Sequence, residues 1–156
     1  MEQKESTVII AIGNDHHGFE QKRIIKEQLQ LPNYVIEWLD VGSFSTERVD
    51  YPSYGIAVAR ALCKGQAKYG ILLCGTGVGM AIVTNRFKGI YAALAWNEEL
   101  AQKSKEDDDA NILVIPSDYV TNEQAVSMVT AWLSAPFKGG RYQERITMID
   151  KLGGVE

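Results

Sequence analysis

Apolar runs of strand length alternate with amphipathic stretches along the whole chain. The run "TVIIAIG" (7–13) is continuously apolar, the pattern of a strand covered on both faces. Residues 19–30 carry Phe19, Ile24, Ile25 and Leu29 between charges and stop before Pro32, which predicts a helix. A second strand follows near 34–40, and "YGIAVARALCKG" reads as a helix closed at Gly65. "YGILLC" (69–74) is a third strand, running through "CGTGVG" into a short helix at 79–86. "GIYAALAW" (89–96) predicts a fourth strand, 97–106 a helix, and "NILVIPS" (111–117) a fifth strand. Residues 122–134 place Ala125, Val126, Val129, Trp132 and Leu133 on one helical face. The stretch from Tyr142 to Leu152 does the same with Ile146, Ile149 and Leu152.

Five strands separated by helices predict the α/β class: a five-stranded parallel sheet between two helical layers, an αβα sandwich. The expectation is one domain over residues 1–156, with disorder over the polar residues 1–6 and a helical tail at 137–152. Ligands of such sheets bind beyond the carboxyl ends of the strands, near a topological switch point. The segments that fall there are "NDHHG", "GSFSTERVDYP", "CGTGVG", "WNEE" and "PSDY".

Composition narrows the field. With 156 residues, 46% hydrophobic and 23% charged, the chain has material for one well-packed core. A net charge of −4 disfavours a general nucleic-acid binder but leaves room for a locally positive pocket. The apolar runs are too short to span a bilayer, and "MEQKEST" lacks the apolar core of a signal peptide. Two cysteines, Cys63 and Cys74, make neither a disulfide framework nor a metal-ligand spacing, which fits a reducing cytoplasm.

The glycine loop carries the strongest chemical signal. Gly75, Gly77 and Gly79 follow the third strand as G-x-G-x-G, so neither a dinucleotide fingerprint nor a Walker loop is present. A strand passing through glycines into a helix still leaves backbone N–H groups facing outward, suited to an anion, although a tight structural turn uses glycines in the same way. Cys74 enters this loop where a thiolate is stabilised, as nucleophile or base. The alternative is a small buried apolar side chain, the role that Cys63 in its helical pattern fits well. Asp15, His16 and His17 fall at the same predicted edge. Three adjacent side chains do not readily converge on one ion, so no metal is expected, and Asp15 equally suits a helix cap. Arg141 and Arg145 lie four apart on one helical face, as two guanidiniums that grip a phosphate do, or as part of a solvated face paired with Glu144.

In order along the chain, "NDHHGF", "STERVDYP", "CGTGVGMAIVTNRFKGI", "DDDANIL" and "GGRYQER" resemble the type B ribose-5-phosphate isomerase family, which includes the galactose-6-phosphate isomerase subunits. The resemblance covers nearly the whole chain. It implies a Rossmann-like sandwich assembled as a homodimer or homotetramer, with active sites shared between subunits. It also implies interconversion of ribose 5-phosphate and ribulose 5-phosphate through a cis-enediolate, without metal or organic cofactor. Cys74 would then be the base, and the amides of Gly75, Gly77 and Gly79 the oxyanion site. Thr76 would contact the sugar, Asp15 and Tyr51 its hydroxyls, and His16, Arg141 and Arg145 the phosphate.

The chain departs from the family pattern at several places. Asp107 and Asp108 stand where the family has histidine and asparagine, and that histidine is associated with opening the furanose ring. Asp107 takes over as candidate acid or base, with Asp108 a substrate contact, yet an aspartate near its reference pKa is ionised at neutral pH. Asp118 replaces a phosphate-binding arginine, leaving His17 and Lys88 as further cations, and Tyr142 replaces a histidine. The expected partner is a phosphorylated sugar, with neither nucleic acid nor membrane involved. The alternatives are an allose or galactose 6-phosphate isomerase and a non-catalytic sugar-phosphate binder.

Overall fold

The computed structural model describes residues 5–156. Its strands are β1 (Ser6–Asn14), β2 (Tyr34–Gly42), β3 (Tyr69–Cys74), β4 (Ala92–Leu94) and β5 (Ile112–Pro116). The helices are α1 (Phe19–Gln28), α2 (Tyr51–Cys63), α3 (Val78–Thr84), α4 (Glu98–Asp108), α5 (Asn122–Ser134) and α6 (Arg141–Asp150). All strand pairs are parallel, in the order β2-β1-β3-β5-β4. The chain is therefore an α/β Rossmann-like sandwich, as its periodicity predicts.

Side chains alternate along each strand, so each strand feeds both layers. Ile10, Ile12, Ile71, Leu73, Leu113 and Ile115 face one core, shared with Ile25 of α1 and Met128 and Trp132 of α5. Ala11, Leu72, Cys74, Ile112 and Val114 face the other, with Val58 of α2 and Met80 of α3. Burying each larger side chain contributes about 1.5–3 kcal/mol. Trp132 is fully buried, and its indole N–H donates to the Ala110 carbonyl at 3.0 Å, so its one polar atom is satisfied.

The chain leaves β1 toward α1 in the first layer and leaves β3 toward α3 in the second. The carboxyl ends of β1 and β3 therefore form the switch point, where diverging loops open a crevice. Gly18 lets the start of α1 approach it: a Cβ there would lie 2.5 Å from the Leu73 Cβ.

Several boundaries differ from the sequence pattern. Ser6, expected in a disordered segment, opens β1 and donates its amide to the Asn33 carbonyl at 3.1 Å; residues 1–4 lie outside the described residues. The fourth strand shrinks from 89–96 to three residues because side-chain amides take its backbone groups. Asn85 both donates to and accepts from the Ala92 backbone (2.9 and 2.8 Å), and Asn111 binds Tyr91 N and Gly89 O. Cys63, expected to be buried, is the exposed last residue of α2.

Beyond β2, Lys22 pins the loop that leads to Tyr51. Its ammonium is buried and donates to the Ser43 carbonyl at 2.6 Å and to Asp40 at 3.0 Å. Burial alone would raise the Asp40 carboxyl, but the Gly42 amide, Lys26 and Lys22 outweigh it and hold it below its usual value. Asp40 therefore adds stability above the unfolded carboxylate pKa, and that stability is lost as pH falls through the lower folded value. Asp40→Asn, which leaves Lys22 buried without its counter-charge, is expected to lower stability by about 3 kcal/mol at neutral pH. Urea unfolding should show the gap to the parent closing below about pH 4; a constant gap would remove Asp40 from this role.

Candidate active site

Three loops converge at the switch point. The loop after β1 starts at Asp15, which is buried and whose Oδ1 accepts from the amides of His17 (2.9 Å) and Gly18 (3.3 Å). This capping curls His16–Gly18 into a 3-10 turn and sets the two imidazoles 4.4 Å apart between centroids, tilted by 48°. His16 Nδ1 accepts a long, 3.5 Å hydrogen bond from the Val49 amide, which ties this loop to the one after β2.

The glycine loop is built by close approach. Gly77 has φ +76°, and a Cβ there would strike Leu94 at 2.5 Å. At Gly79 a Cβ would lie within 2.6 Å of the Tyr51 ring, so Tyr51, at the start of α2, packs directly on the loop. Thr76 is exposed, and its Oγ1 accepts from the Val78 amide at 3.3 Å.

Cys74 closes β3 and is 5% exposed, with Sγ accepting from the Gly77 amide at 3.2 Å. Burial pushes its thiol above the ordinary cysteine value, against the pull of the Met80 and Gly77 amides and helped by the charges of Asp15 and Asp118. The expectation of a stabilised thiolate is thus corrected: the amides are present, but burial and two carboxylates win, so the resting group is a thiol.

The donor atoms of Asp15, His16 and His17 lie within 4.8 Å of one another, so adjacent side chains converge here after all. The 3-10 turn is the reason. Asp15 serves two amides, and His17 Nδ1 lies 3.1 Å from Asp118, making the group a hydrogen-bonded polar corner.

The remaining expected residues lie at the other end of the sheet. Helix α4 starts beyond the carboxyl end of β4 and runs back to Asp107 and Asp108, just before β5 begins. There the Lys138 Nζ donates to Asp107 at 2.9 Å and holds its carboxyl below the usual range. Helix α6 starts beside them. Arg141 donates to the Tyr142 hydroxyl at 3.1 Å, and the guanidiniums of Arg141 and Arg145 sit 5.0 and 5.8 Å from the Tyr142 ring centre. Lys138 approaches the same ring at 5.2 Å, completing an exposed cluster of three cations around one aromatic. Within one chain, Asp15, His16, Tyr51, Cys74, Thr76 and the glycines are gathered. Asp107, Asp108, Arg141 and Arg145 form a second group on the opposite edge, where Lys88 also lies, before β4.

Two participants escape the sequence motifs. Lys138 carries no signal beyond lying next to "GGR". The pairing of His17 with Asp118 spans the chain, and only their shared place after parallel strands hints at it.

No helix among the described residues is long and apolar enough to cross a membrane. A family profile described as Ribose/Galactose Isomerase matches residues 10–149. "Ribose-5-phosphate isomerase B" of Escherichia coli K12 is 42% identical over 90% of this chain and 93% of its own length. The crystal structure of a ribose 5-phosphate isomerase from Thermotoga maritima superposes with a TM-score of 0.86 at 43% identity, covering 92% of this chain and 98% of that one. Ribose-5-phosphate isomerase B from Mycoplasma genitalium, solved with bound ribulose-5-phosphate, gives 0.86 at 36% identity, covering 95% and 97%. A profile match over residues 10–149, together with relatives above 40% identity that align over nine-tenths of the chain, makes this protein a member of the ribose/galactose isomerase family.

Proposed function

We propose that the chain is an aldose–ketose isomerase acting on ribose 5-phosphate and ribulose 5-phosphate, within the pentose phosphate pathway. The observation that carries this is the position of Cys74: its sulfur lies against the Gly77 amide in a glycine loop at the switch point, beside Asp15 and Tyr51. The relatives named above carry this activity in their names, and one holds ribulose 5-phosphate.

In this reading the Cys74 thiolate removes the C2 proton of the open-chain aldose. The electron pair moves through C1–C2 onto O1, and the amides of Gly75 and Gly79, with Gly77 at the sulfur, meet the enediolate charge as it forms. The thiol then returns the proton to C1 while the O2 hydroxyl proton passes to O1, giving the C2 ketone and C1 alcohol of the ketose with no net change in the enzyme. Thr76 contacts the sugar, and Asp15 and Tyr51 orient its hydroxyls. No cofactor takes part.

Arg141 and Arg145, the paired guanidiniums suited to a phosphate, lie on the edge opposite Cys74 in one chain. Arg141 and Arg145 come from a second copy and join His16 on the phosphate. Asp108 arrives with them as a substrate contact. Asp107 arrives ionised, as the partner of Lys138 and not as an acid. The working unit is then a homodimer, or a homotetramer made of such dimers, in the cytoplasm. Exposed Val78 and Ile82 on α3 and Met148 and Ile149 on α6 are the apolar surface that such pairing covers.

The test is direct conversion of ribose 5-phosphate to ribulose 5-phosphate. Arg141→Ala and Arg145→Ala are each expected to raise KM about tenfold or more with a smaller effect on kcat, since the phosphate is bound alike in ground and transition states. Unchanged KM in both would place the phosphate elsewhere. Saturable binding without turnover would leave a sugar-phosphate binder in place of an isomerase.

A further inference from the structure

His17 and Asp118 meet across the switch point, in the position where the site needs a proton carrier. His17 Nδ1 lies 3.1 Å from the Asp118 carboxylate. Both are firmly mounted. The Asp118 amide donates to the Gly75 carbonyl at 3.1 Å and the Ser117 amide to the Cys74 carbonyl at 2.9 Å, while the His17 amide is held by Asp15. A Cβ on Gly75 would lie 2.8 Å from Asp118 Oδ2 and 3.5 Å from His17 Cγ, so the pair stands over the residue next to Cys74. A carboxylate only accepts, so Nδ1 carries the proton and Nε2 presents its lone pair. The side chains are 43% and 49% exposed, open to a bound sugar.

We propose that His17, oriented by Asp118, opens the sugar ring before Cys74 acts. The proposal rests on the isomerase reading and names the group that its first step needs. In the furanose, Nε2 takes the proton of the anomeric O1–H. The O1 electron pair closes the carbonyl, the C1–O4 bond breaks with its pair on O4, and the imidazolium returns the proton to O4. The sugar emerges as the open aldehyde and the imidazole is neutral again. Other candidates are engaged elsewhere. Asp107, which a second copy brings, is an ionised acceptor paired with Lys138, and His16, the chain's other histidine, turns Nδ1 to the Val49 amide. Asp118 is a positioning residue: it fixes the tautomer and the ring plane and balances the transient imidazolium.

The experiment separates ring opening from enediolate chemistry. Ribulose 5-phosphate has no ring to open, because the oxygen that would close it is esterified. Loss of its C1 deuterium label to solvent therefore reports Cys74 alone. His17→Gln is expected to lower ribose 5-phosphate turnover about 100-fold while label washout stays within about twofold of the parent. Asp118→Asn should lower ribose 5-phosphate turnover by a smaller factor while washout does not fall, since losing the Asp118 charge eases the Cys74 thiol downward, and Asp118→Glu should recover part of the turnover. Retained washout also shows that the variants are folded. Parallel loss of both readouts, or loss of neither, would overturn the proposal. A parent protein with no Cys74-dependent washout would remove the isomerase reading itself, and the dyad's role with it.

Discussion

Cys74→Ala is expected to lower kcat for ribose 5-phosphate isomerisation about 10⁴-fold, the upper range for removing a general base. The geometry limits what else the substitution changes. Cys74 contributes a small side chain to the α2/α3 core, so the stability cost should stay near about 1 kcal/mol, within the range of ordinary substitutions. Cys74→Ser is the sharper variant. A hydroxyl can still accept from the Gly77 amide, but it does not ionise near neutral pH, so the serine chain should be about as inactive as the alanine one. A serine variant within about tenfold of the parent would exclude the thiolate base. The raised thiol adds a pH signature with a definite sign. Because burial holds Cys74 protonated, the active thiolate is the minor form, and kcat/KM should still be rising at pH 8 by up to about tenfold per unit. A plateau below pH 7 would mean that the second copy reverses the effect of burial in the free enzyme.

Mixing two crippled chains should restore activity. The structure puts Cys74 at the carboxyl edge of the sheet and Arg141 and Arg145 at the amino edge. If each site takes one edge from each copy, a hybrid of a Cys74→Ala chain and an Arg141→Ala/Arg145→Ala chain has one doubly defective site and one intact site. Half of randomly re-paired dimers are such hybrids, so about a quarter of parental activity should return after joint refolding, assayed below the parental KM. Activity that never exceeds the sum of the two parents would show that each chain completes its own site, and would require another source of cations at Cys74.

The two cores and the sheet were readable from the sequence because continuous apolar runs and 3.6-residue spacing are local signals. β3 and α5 match their predicted limits, residue for residue. β4 was over-extended because Asn85 and Asn111 replace ladder bonds with side-chain ones, and hydropathy carries no trace of that. At the site, motif order located Cys74, Asp15, Tyr51 and the glycines. The chemistry of the thiol was less legible: a helix start and a row of amides imply an acidic thiol, while depth and the Asp118 carboxylate are set by the tertiary fold. The same limit hid the His17–Asp118 pair, whose partners are 101 residues apart. It also hid the distance between Asp107 and Cys74, which follows from the direction in which α4 runs.

Helix α6 is seated lightly on its own body. Ile146 is its one buried residue; the Tyr91 hydroxyl reaches Asp150 at 2.5 Å, and beyond the helix Val155 bridges to Phe87. The guanidiniums proposed to hold phosphate ride on this helix, so part of the binding free energy goes into fixing its position. Whatever holds α6 still, a neighbouring subunit or a bound anion, eases the way for the other. Assembly and ligand affinity then share one equilibrium, and a dilute protein is a weaker binder than a concentrated one.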